Sequence, residues 1–218
     1  MSQPKRRRKA RQLDPVNAPP NDLLLFEKAL FSEGFRLVAG VDEAGRGPLA
    51  GPVVAAAVVL PPSCSLPGLN DSKQLSKASR EYFFDAICSC AQGWAVGAVD
   101  SCEIDRTNIL RASLEAMRIA VTGLGFEPEI LLIDGPFKIA HPLPQRAIKR
   151  GDSLSLSIAA ASVVAKVTRD RIMCEFENSY PEFSFSVHKG YGTARHLEEL
   201  RRHGPTPIHR LTFRGVGI

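Results

Sequence analysis

Apolar residues follow two different periods along the chain, and the changes of period predict short strands separated by helices. Strands are predicted where apolar residues are continuous or alternate, over 35–41, 52–60 and 94–99. Helices are predicted where apolar residues recur every three or four positions, over 22–32, 77–91 and 103–124. The second strand is expected to pair back on the first, and the polar stretch 70–73 is expected to form a loop.

The C-terminal half continues this alternation. The run 130–133 is wholly apolar, which is typical of a central strand that is covered on both faces. Further elements are predicted over 145–149, a strand, and over 158–177 and 194–202, two helices. Ser155 or Ser157 is expected to cap the first of these helices. The order of elements predicts an α/β fold in which helices flank a mixed β-sheet, with a helical C-terminal portion.

The positive charge of the chain is concentrated at its N-terminus. Residues 1–12 contain six Lys and Arg and no acid; removing those six from the 28 Lys and Arg leaves 22 against 23 Asp and Glu. We predict a disordered basic tail over 1–21, followed by one folded domain over 22–218. The tail either attracts polyanions through counterion release or is a solvated extension with no specific role.

Composition excludes several classes of protein. No run approaches the roughly 18 apolar residues of a membrane span, and no apolar segment follows the basic N-terminus as it would in a secretory signal. The five cysteines are odd in number and lack paired CxxC spacing, which favours free thiols over disulfides or structural zinc. We therefore expect a cytoplasmic protein with no membrane association, and nothing in the sequence requires more than a monomer.

Four acidic residues follow predicted strands. Asp42 and Glu43 come after the first strand, Asp134 after the fourth and Asp152 after the fifth. One acid in such a place is commonly a turn former, but strand ends are also where functional groups converge in α/β proteins. Clustered carboxylates repel one another, and a divalent cation relieves that repulsion. Because oxygen ligands favour Mg²⁺ or Mn²⁺ over zinc, the sequence indicates a site for one of these ions.

The segments around these acids resemble the ribonuclease HII family, the type 2 ribonucleases H. Seven segments, in the family's order, carry the resemblance: Val-Asp-Glu-Ala-Gly-Arg-Gly-Pro at 41–48, Leu-Ala-Gly-Pro-Val-Val-Ala-Ala-Ala at 49–57, Asn-Asp-Ser-Lys at 70–73, Ile-Asp-Gly at 133–135, Gly-Asp-Ser at 151–153, Ala-Ala-Ala-Ser-Val-Val-Ala-Lys-Val-Thr-Arg-Asp at 159–170 and Gly-Tyr-Gly-Thr at 190–193. The resemblance spans most of the chain and leaves the basic tail outside.

This resemblance implies a ribonuclease-H-like fold and a defined reaction. Asp42, Glu43, Asp134 and Asp152 fall on the family's catalytic carboxylates, which bind two Mg²⁺ or Mn²⁺ ions during catalysis. The family hydrolyses the RNA strand of RNA/DNA hybrids and cuts duplex DNA on the 5′ side of single embedded ribonucleotides. The products carry 3′-hydroxyl and 5′-phosphate ends, which implies a role in removing ribonucleotides from DNA. The expected partners are therefore RNA/DNA hybrids and ribonucleotide-containing duplex DNA.

The resemblance also implies how substrate is recognised. Gly45, Arg46 and Gly47 fall on the turn that recognises the ribose 2′-hydroxyl, the group that distinguishes RNA from DNA. Glycines suit that task because no Cβ keeps the backbone away from the sugar. Tyr191 falls on the tyrosine that stacks against the following deoxyribose. Lys73, in the polar loop, is a candidate phosphate ligand, with an ordinary surface charge as the alternative.

The helix predicted over 158–177 carries further charged residues. Lys166, Arg169 and Arg171 are candidates to line the duplex. Asp170 is predicted to form salt bridges with these cations rather than to be a fifth metal ligand.

Four histidines show no metal-ligating spacing: His188, His196, His203 and His209. We predict surface or structural roles for them. His188 is also a candidate nucleic-acid contact because it lies close to Tyr191 in the sequence.

Two other functions are open at this point. One is a DNA-cutting nuclease of ribonuclease-H-like fold, such as a transposase or resolvase, and the other is a non-catalytic nucleic-acid-binding protein that uses its basic tail. The Gly-Arg-Gly turn together with Tyr191 disfavours the first, because both serve to recognise a ribose followed by a deoxyribose. The intact carboxylates disfavour the second, because acids that face phosphates weaken binding.

Overall fold

The core of the protein is a five-stranded mixed sheet. The structure is a computed structural model that describes residues 23–69 and 72–216. The strands are β1 (Val38–Ala44), β2 (Val53–Val59), β3 (Gly93–Val99), β4 (Ile130–Asp134) and β5 (Gln145–Ile148), in the order β3-β2-β1-β4-β5. β2 is antiparallel to β1 and β3, whereas β4 runs parallel to β1 and β5. The predicted mixed sheet is therefore confirmed. The predicted basic tail and residues 70–71 of the predicted loop lie outside the described residues.

Helices cover both faces of this sheet. They are α1 (Leu25–Ser32), α2 (Lys77–Cys90), α3 (Ser101–Arg106), α4 (Ile109–Thr122), α5 (Leu156–Ser179), α6 (Phe185–His188) and α7 (Ala194–His203), with a 3₁₀ turn at Gly151–Ser153. α4 packs on one face and α5 on the other, and α6 and α7 form the predicted helical C-terminal portion. No helix within the described ranges has the length and apolarity to cross a membrane.

The strand β2 lies between two neighbours and is covered on both sides, which explains its continuous apolar sequence. All seven of its residues are buried. Because successive side chains point to opposite faces, Ala55 and Ala57 pack in the cluster with α4, whereas Ala56 and Val58 pack in the cluster with α5. The sheet is thus held between two apolar layers, a rigid support for the residues at its edge.

The helix α5 packs directly against the backbone of β1. A Cβ on Gly40 would lie only 2.1 Å from the carbonyl carbon of Ser157, so the close approach requires glycine at this position. The alanines at the start of α5 are all buried against the sheet. The helix is capped by Ser155 rather than Ser157, because the Ser155 hydroxyl accepts a hydrogen bond from the amide of Ile158.

Two predicted elements are wrong in their extent. The first strand does not end at residue 41 but continues to Ala44, so Asp42 and Glu43 lie within it. The helix predicted over 103–124 is two helices, α3 and α4. The break occurs because the side chain of Asn108 accepts a hydrogen bond from the amide of Arg111 and so starts a new helix.

Candidate active site

Three carboxylates meet at one edge of the sheet. Asp42 lies in β1, Asp134 ends the parallel neighbour β4, and Asp152 lies in the 3₁₀ turn that follows β5. The pairing of Val41 with Ile133 brings Asp42 and Asp134 to the same level of adjacent strands. One oxygen from each of the three carboxylates lies within 4.8 Å of the others. Such an all-oxygen set fits a hard divalent cation such as Mg²⁺ or Mn²⁺.

The acidic cluster is electrostatically unfavourable on its own. Burial raises the pKa of Asp42 well above its ordinary value, and the charges of Glu43 and Asp134 raise it further. Burial likewise raises the pKa of Asp134, with a further contribution from the charge of Asp152. A bound divalent cation would remove this repulsion, so the electrostatics agree with the donor set.

Backbone amides fix the orientation of two of these carboxylates. Asp42 accepts a hydrogen bond of 2.7 Å from the amide of Glu43, and Asp134 accepts one of 2.6 Å from the amide of Gly151. The second bond ties the end of β4 to the 3₁₀ turn that carries Asp152. The position of Asp134 relative to Asp152 is therefore fixed by a backbone amide of the turn.

Glu43 stands apart from the other three acids. Its carboxylate oxygen lies 3.1 Å from Nη1 of Arg46, and the trio of mutually close oxygens does not include it. Burial raises the pKa of Glu43, while the charge of Arg46 opposes that rise. Its predicted role as a metal ligand stays a prediction.

Lys73 lies beside the carboxylate cluster. Its ammonium nitrogen is 3.2 Å from Oδ2 of Asp152, and three quarters of its side chain is exposed (75%). An exposed cation next to the carboxylates can pair with an anionic ligand that approaches them.

The Gly-Arg-Gly turn follows β1 directly. Gly45 has a φ of +99°, which favours glycine, and a Cβ there would lie 2.1 Å from Nε of Arg169. Around Gly47 no atom of the described residues lies within 4 Å of a Cβ position, so this side of the turn faces open space. The side chain of Arg46 is about half exposed (48%). The turn can therefore receive a ligand next to the acids.

Tyr191 lies in the loop between α6 and α7, and its ring is partly exposed (40%). The ammonium of Lys166 is 5.5 Å from the ring centroid and the guanidinium of Arg169 is 5.8 Å from it. The amide of Leu49 donates a 2.7 Å hydrogen bond to the carbonyl of Gly190, which joins the tyrosine loop to the segment after the Gly-Arg-Gly turn.

The structure confirms one of the roles predicted for the charged residues of α5 and contradicts another. Asp170 is confirmed as a salt-bridge partner of Lys166, at 2.8 Å. Arg171 pairs instead with Glu81 and lies over the ring of Phe84. The hypothesis that Arg169 lines a duplex is wrong, because its side chain is fully buried and donates to backbone carbonyls.

Arg210 is a buried residue that the sequence analysis missed. It is fully buried, and its guanidinium donates to carbonyls of the segment that contains the Gly-Arg-Gly turn. These acceptors lie 159 to 165 residues earlier in the chain, so no local pattern around Arg210 could have indicated the contact.

Two of the histidines, His196 and His209, form a buried hydrogen-bonded pair. The amide of Thr206 donates to Nδ1 of His209, so the proton of that ring lies on Nε2, which is 3.0 Å from Nε2 of His196. His196 must then accept at Nε2 and donate from Nδ1 to the carbonyl of Tyr191, at 2.9 Å. The predicted structural role is confirmed for His196 and His209, and both rings are neutral in this arrangement.

His188 extends the same cluster. Its ring stacks on His196 with centroids 4.2 Å apart, and its Nε2 is 2.9 Å from a carboxylate oxygen of Glu199. The hypothesis that His188 touches nucleic acid is wrong, because only 5% of the residue is exposed. The five cysteines are free thiols, as predicted.

Comparison with known proteins gives a consistent result. The sequence profile of ribonuclease HII matches residues 39–216. Ribonuclease HII of Syntrophobacter fumaroxidans is 57% identical over 202 residues, covering 93% of this chain and 87% of that protein. Ribonuclease HII of Geobacter metallireducens is 57% identical over 194 residues, covering 89% and 91%. Among solved structures, ribonuclease H2 from Pyrococcus horikoshii OT3 is 28% identical with a TM-score of 0.67, covering 82% of this chain and 94% of that one.

Proposed function

The chain belongs to the ribonuclease HII family of endoribonucleases, and we propose that it hydrolyses the RNA strand of RNA/DNA hybrids and cuts duplex DNA on the 5′ side of single ribonucleotides. The products would carry 3′-hydroxyl and 5′-phosphate ends. The observation that carries this proposal is the convergence of carboxylate oxygens of Asp42, Asp134 and Asp152 within 4.8 Å, beside an open Gly-Arg-Gly turn.

Metal binding is the first part of the proposal. Asp42, Glu43, Asp134 and Asp152 would hold Mg²⁺ or Mn²⁺, two ions during catalysis. When bound, such ions supply an activated water as nucleophile and stabilise the departing 3′ oxygen. The protein contributes carboxylates whose orientation is fixed by amides and whose pKa values are raised by burial and by one another's charges, an effect that a cation would oppose.

Substrate positioning is the second part. The half-exposed guanidinium of Arg46 lies 3.1 Å from Glu43 and the ammonium of Lys73 lies 3.2 Å from Asp152, so both can meet phosphates of a strand bound at the acids. Gly45, Arg46 and Gly47 would recognise the 2′-hydroxyl, supported by the open space around Gly47. The partly exposed ring of Tyr191 offers a stacking surface for the adjacent deoxyribose.

The biological setting follows from this chemistry. An enzyme that cuts next to a single ribonucleotide begins the removal of ribonucleotides from DNA. Five free thiols agree with the reducing conditions of the cytoplasm. We propose that the protein acts there as a monomer.

The function is tested by comparing three duplexes of one sequence, RNA/DNA, RNA/RNA and DNA/DNA, with Mg²⁺ or Mn²⁺ supplied. Only the RNA/DNA hybrid should be cleaved, and each new 3′ end should be extendable by a polymerase while each new 5′ end should be ligatable. Equal cleavage of the DNA/DNA duplex, or no cleavage of the hybrid by folded protein, would refute the proposal.

A further inference from the structure

Two fully buried arginines hold residues 45–52, the segment that begins with the Gly-Arg-Gly turn, from inside the protein. Arg169 comes from α5 and Arg210 from the segment after α7, and both are 0% exposed. Arg210 donates to the carbonyls of Gly45 at 2.6 Å, Arg46 at 3.0 Å and Gly51 at 2.9 and 3.0 Å. Arg169 donates to the carbonyls of Pro52 at 2.9 Å and of Ala50 and Lys189 at 3.0 Å.

A buried guanidinium is normally paired with a carboxylate, because removing its charge from water is costly. Neither Arg169 nor Arg210 forms a salt bridge to any residue within 23–69 or 72–216. Burial accordingly lowers the pKa of Arg210 to about 9 and also lowers that of Arg169. The carbonyls and the charges of Asp105 and Asp170 compensate these two buried cations only in part, since both pKa values stay lowered. Two such charges are an unfavourable way to fill a core, so a requirement other than stability accounts for them better.

The geometry of the peptide bond connects these contacts to recognition. All peptide bonds of the described chain are trans, so each carbonyl points opposite to the amide of the next residue. Since the carbonyls of Gly45 and Arg46 point inward to Arg210, the amides of Arg46 and Gly47 point away from it. Neither amide has an acceptor among the described residues. The contacts of Arg210 thus leave two neighbouring amide donors, those of Arg46 and Gly47, on the open side of the turn.

Arg169 connects the turn to the tyrosine loop. Its guanidinium binds the carbonyl of Lys189, two residues before Tyr191, and lies 5.8 Å from the tyrosine ring. The same side chain contacts the turn so closely that a Cβ at Gly45 would lie 2.1 Å from its Nε. One buried group therefore sets the distance between the two surfaces proposed to contact the ribose and the next sugar.

We propose that Arg169 and Arg210 are positioning residues for ribonucleotide selection, which fix the Gly-Arg-Gly turn and the Tyr191 loop relative to each other without touching substrate. This inference rests on the proposed function. Lysine at either position keeps the positive charge but concentrates its donors on one nitrogen, so it cannot hold several carbonyls in a plane.

The test measures binding in the Asp134→Asn background, so that cleavage does not interfere. Affinity is measured by fluorescence anisotropy for a DNA duplex with one ribonucleotide and for the same duplex without it. In the parent the ribonucleotide duplex should bind more tightly. Arg210→Lys and Arg169→Lys should reduce this preference by about tenfold, the effect of one misplaced hydrogen bond. Affinity for the all-DNA duplex should change less than about twofold.

Controls separate positioning from general destabilisation. Met117→Ala creates a cavity in the buried cluster beneath α4 and should lower the melting temperature while keeping the parental preference. Asp105→Asn keeps both arginines but weakens the anchor of the Arg210 segment, because the Asp105 carboxylate accepts from the amides of Leu211 and Thr212. It should reduce the preference in part, even if the lysine variants do not fold.

The outcomes distinguish the two proposals. If the parent has no preference for the ribonucleotide duplex, the proposed recognition fails and this inference fails with it. If the parent has the preference and folded Arg210→Lys, Arg169→Lys and Asp105→Asn proteins all retain it, only the positioning role is overturned. A reduced preference in these variants, with Met117→Ala unchanged, supports the inference.

Discussion

At the scale of single residues, the acidic cluster destabilises the metal-free protein. The folded-state pKa of Asp42 lies above its unfolded value, so ionising this carboxyl at neutral pH opposes folding. Its hydrogen bond from the amide of Glu43 needs only an acceptor oxygen, which asparagine also provides. Function and stability therefore make opposite demands on this position.

We predict that Asp42→Asn abolishes turnover and raises the melting temperature of the metal-free protein. Activity should fall by about a hundredfold or more because a proposed metal ligand is lost. The melting temperature should rise by a few degrees, about 2–4 °C for each kcal/mol of repulsion removed. Cleavage assays and thermal unfolding in a chelator measure the two effects. Full activity, or a marked fall in melting temperature without metal, would contradict the assignment.

At the scale of elements, the close packing of α5 against β1 supports the acids, and two glycines allow a matched comparison. A Cβ on Gly40 would collide with the backbone of α5, whereas one on Gly47 would meet no described atom. Gly40→Ala should cost about 1–3 kcal/mol of unfolding free energy. Gly47→Ala should leave stability unchanged and weaken cleavage at a ribonucleotide. Denaturant unfolding and cleavage rates measure both; equal stability losses would show that Gly47 is packed as tightly as Gly40.

The histidine cluster should give the C-terminal portion a specific pH dependence. Burial lowers the pKa values of His188 and His196, and it lowers that of His209 to about 4. Between pH 6.5 and 4 the unfolded chain therefore binds a proton at His209 that the folded chain does not, so the stability that His209 contributes is full above pH 6.5 and falls as the pH decreases. The expected slope is about 1.4 kcal/mol per pH unit for His209, and the lowered pKa values of His188 and His196 act in the same direction.

Urea unfolding as a function of pH tests this expectation. His209→Gln should have a smaller slope than the unsubstituted protein between pH 6.5 and 4, because one of the titrating rings is gone. His203, which is exposed, provides the control, and His203→Gln should retain the full slope. A slope that is the same in both variants would mean that the buried rings are not the source of the pH dependence.

The sequence predicts those elements that depend on residues close to one another in the chain. The apolar run before Asp134 and the alanines of α5 indicate their own burial, so the sheet, its main helices and the acids at its edge are accessible to pattern reasoning. The break at Asn108 was missed because asparagine at a polar position of a helical pattern is compatible both with a helix interior and with a cap. The role of Arg210 was missed because its acceptors lie 159 to 165 residues earlier in the chain. The structural roles of His196 and His209 were predicted, but the hydrogen bond between them was not, because no local spacing indicates it.

At the scale of the whole molecule, charge is divided between two parts of the chain. Outside residues 1–12 the chain has 22 Lys and Arg, what remains of 28 after those six are removed, against 23 Asp and Glu. We therefore expect the rest of the chain to attract a polyanion through local groups such as Lys73 and Arg46, not through its net charge. We expect the six cations of residues 1–12 to supply a long-range attraction.

We predict that deleting residues 1–12 weakens binding to duplex DNA and reduces its dependence on salt, with no change in the cut position. Each lost phosphate contact lowers the slope of log affinity against log salt by about 0.9. Binding measured over a range of salt concentrations tests this. An unchanged slope would mean that the basic stretch makes no phosphate contacts.

We propose that one group of carboxylates directs cleavage to the position where the adjacent turn meets a 2′-hydroxyl. The most direct test compares two DNA duplexes that differ by a single 2′ oxygen, incubated with Mg²⁺ or Mn²⁺ and mapped at nucleotide resolution. We predict one cut on the 5′ side of the ribonucleotide, no cut in the all-DNA duplex, and no cut by Asp134→Asn. Cleavage of both duplexes at the same rate, or cleavage by Asp134→Asn at the unsubstituted rate, would contradict the account.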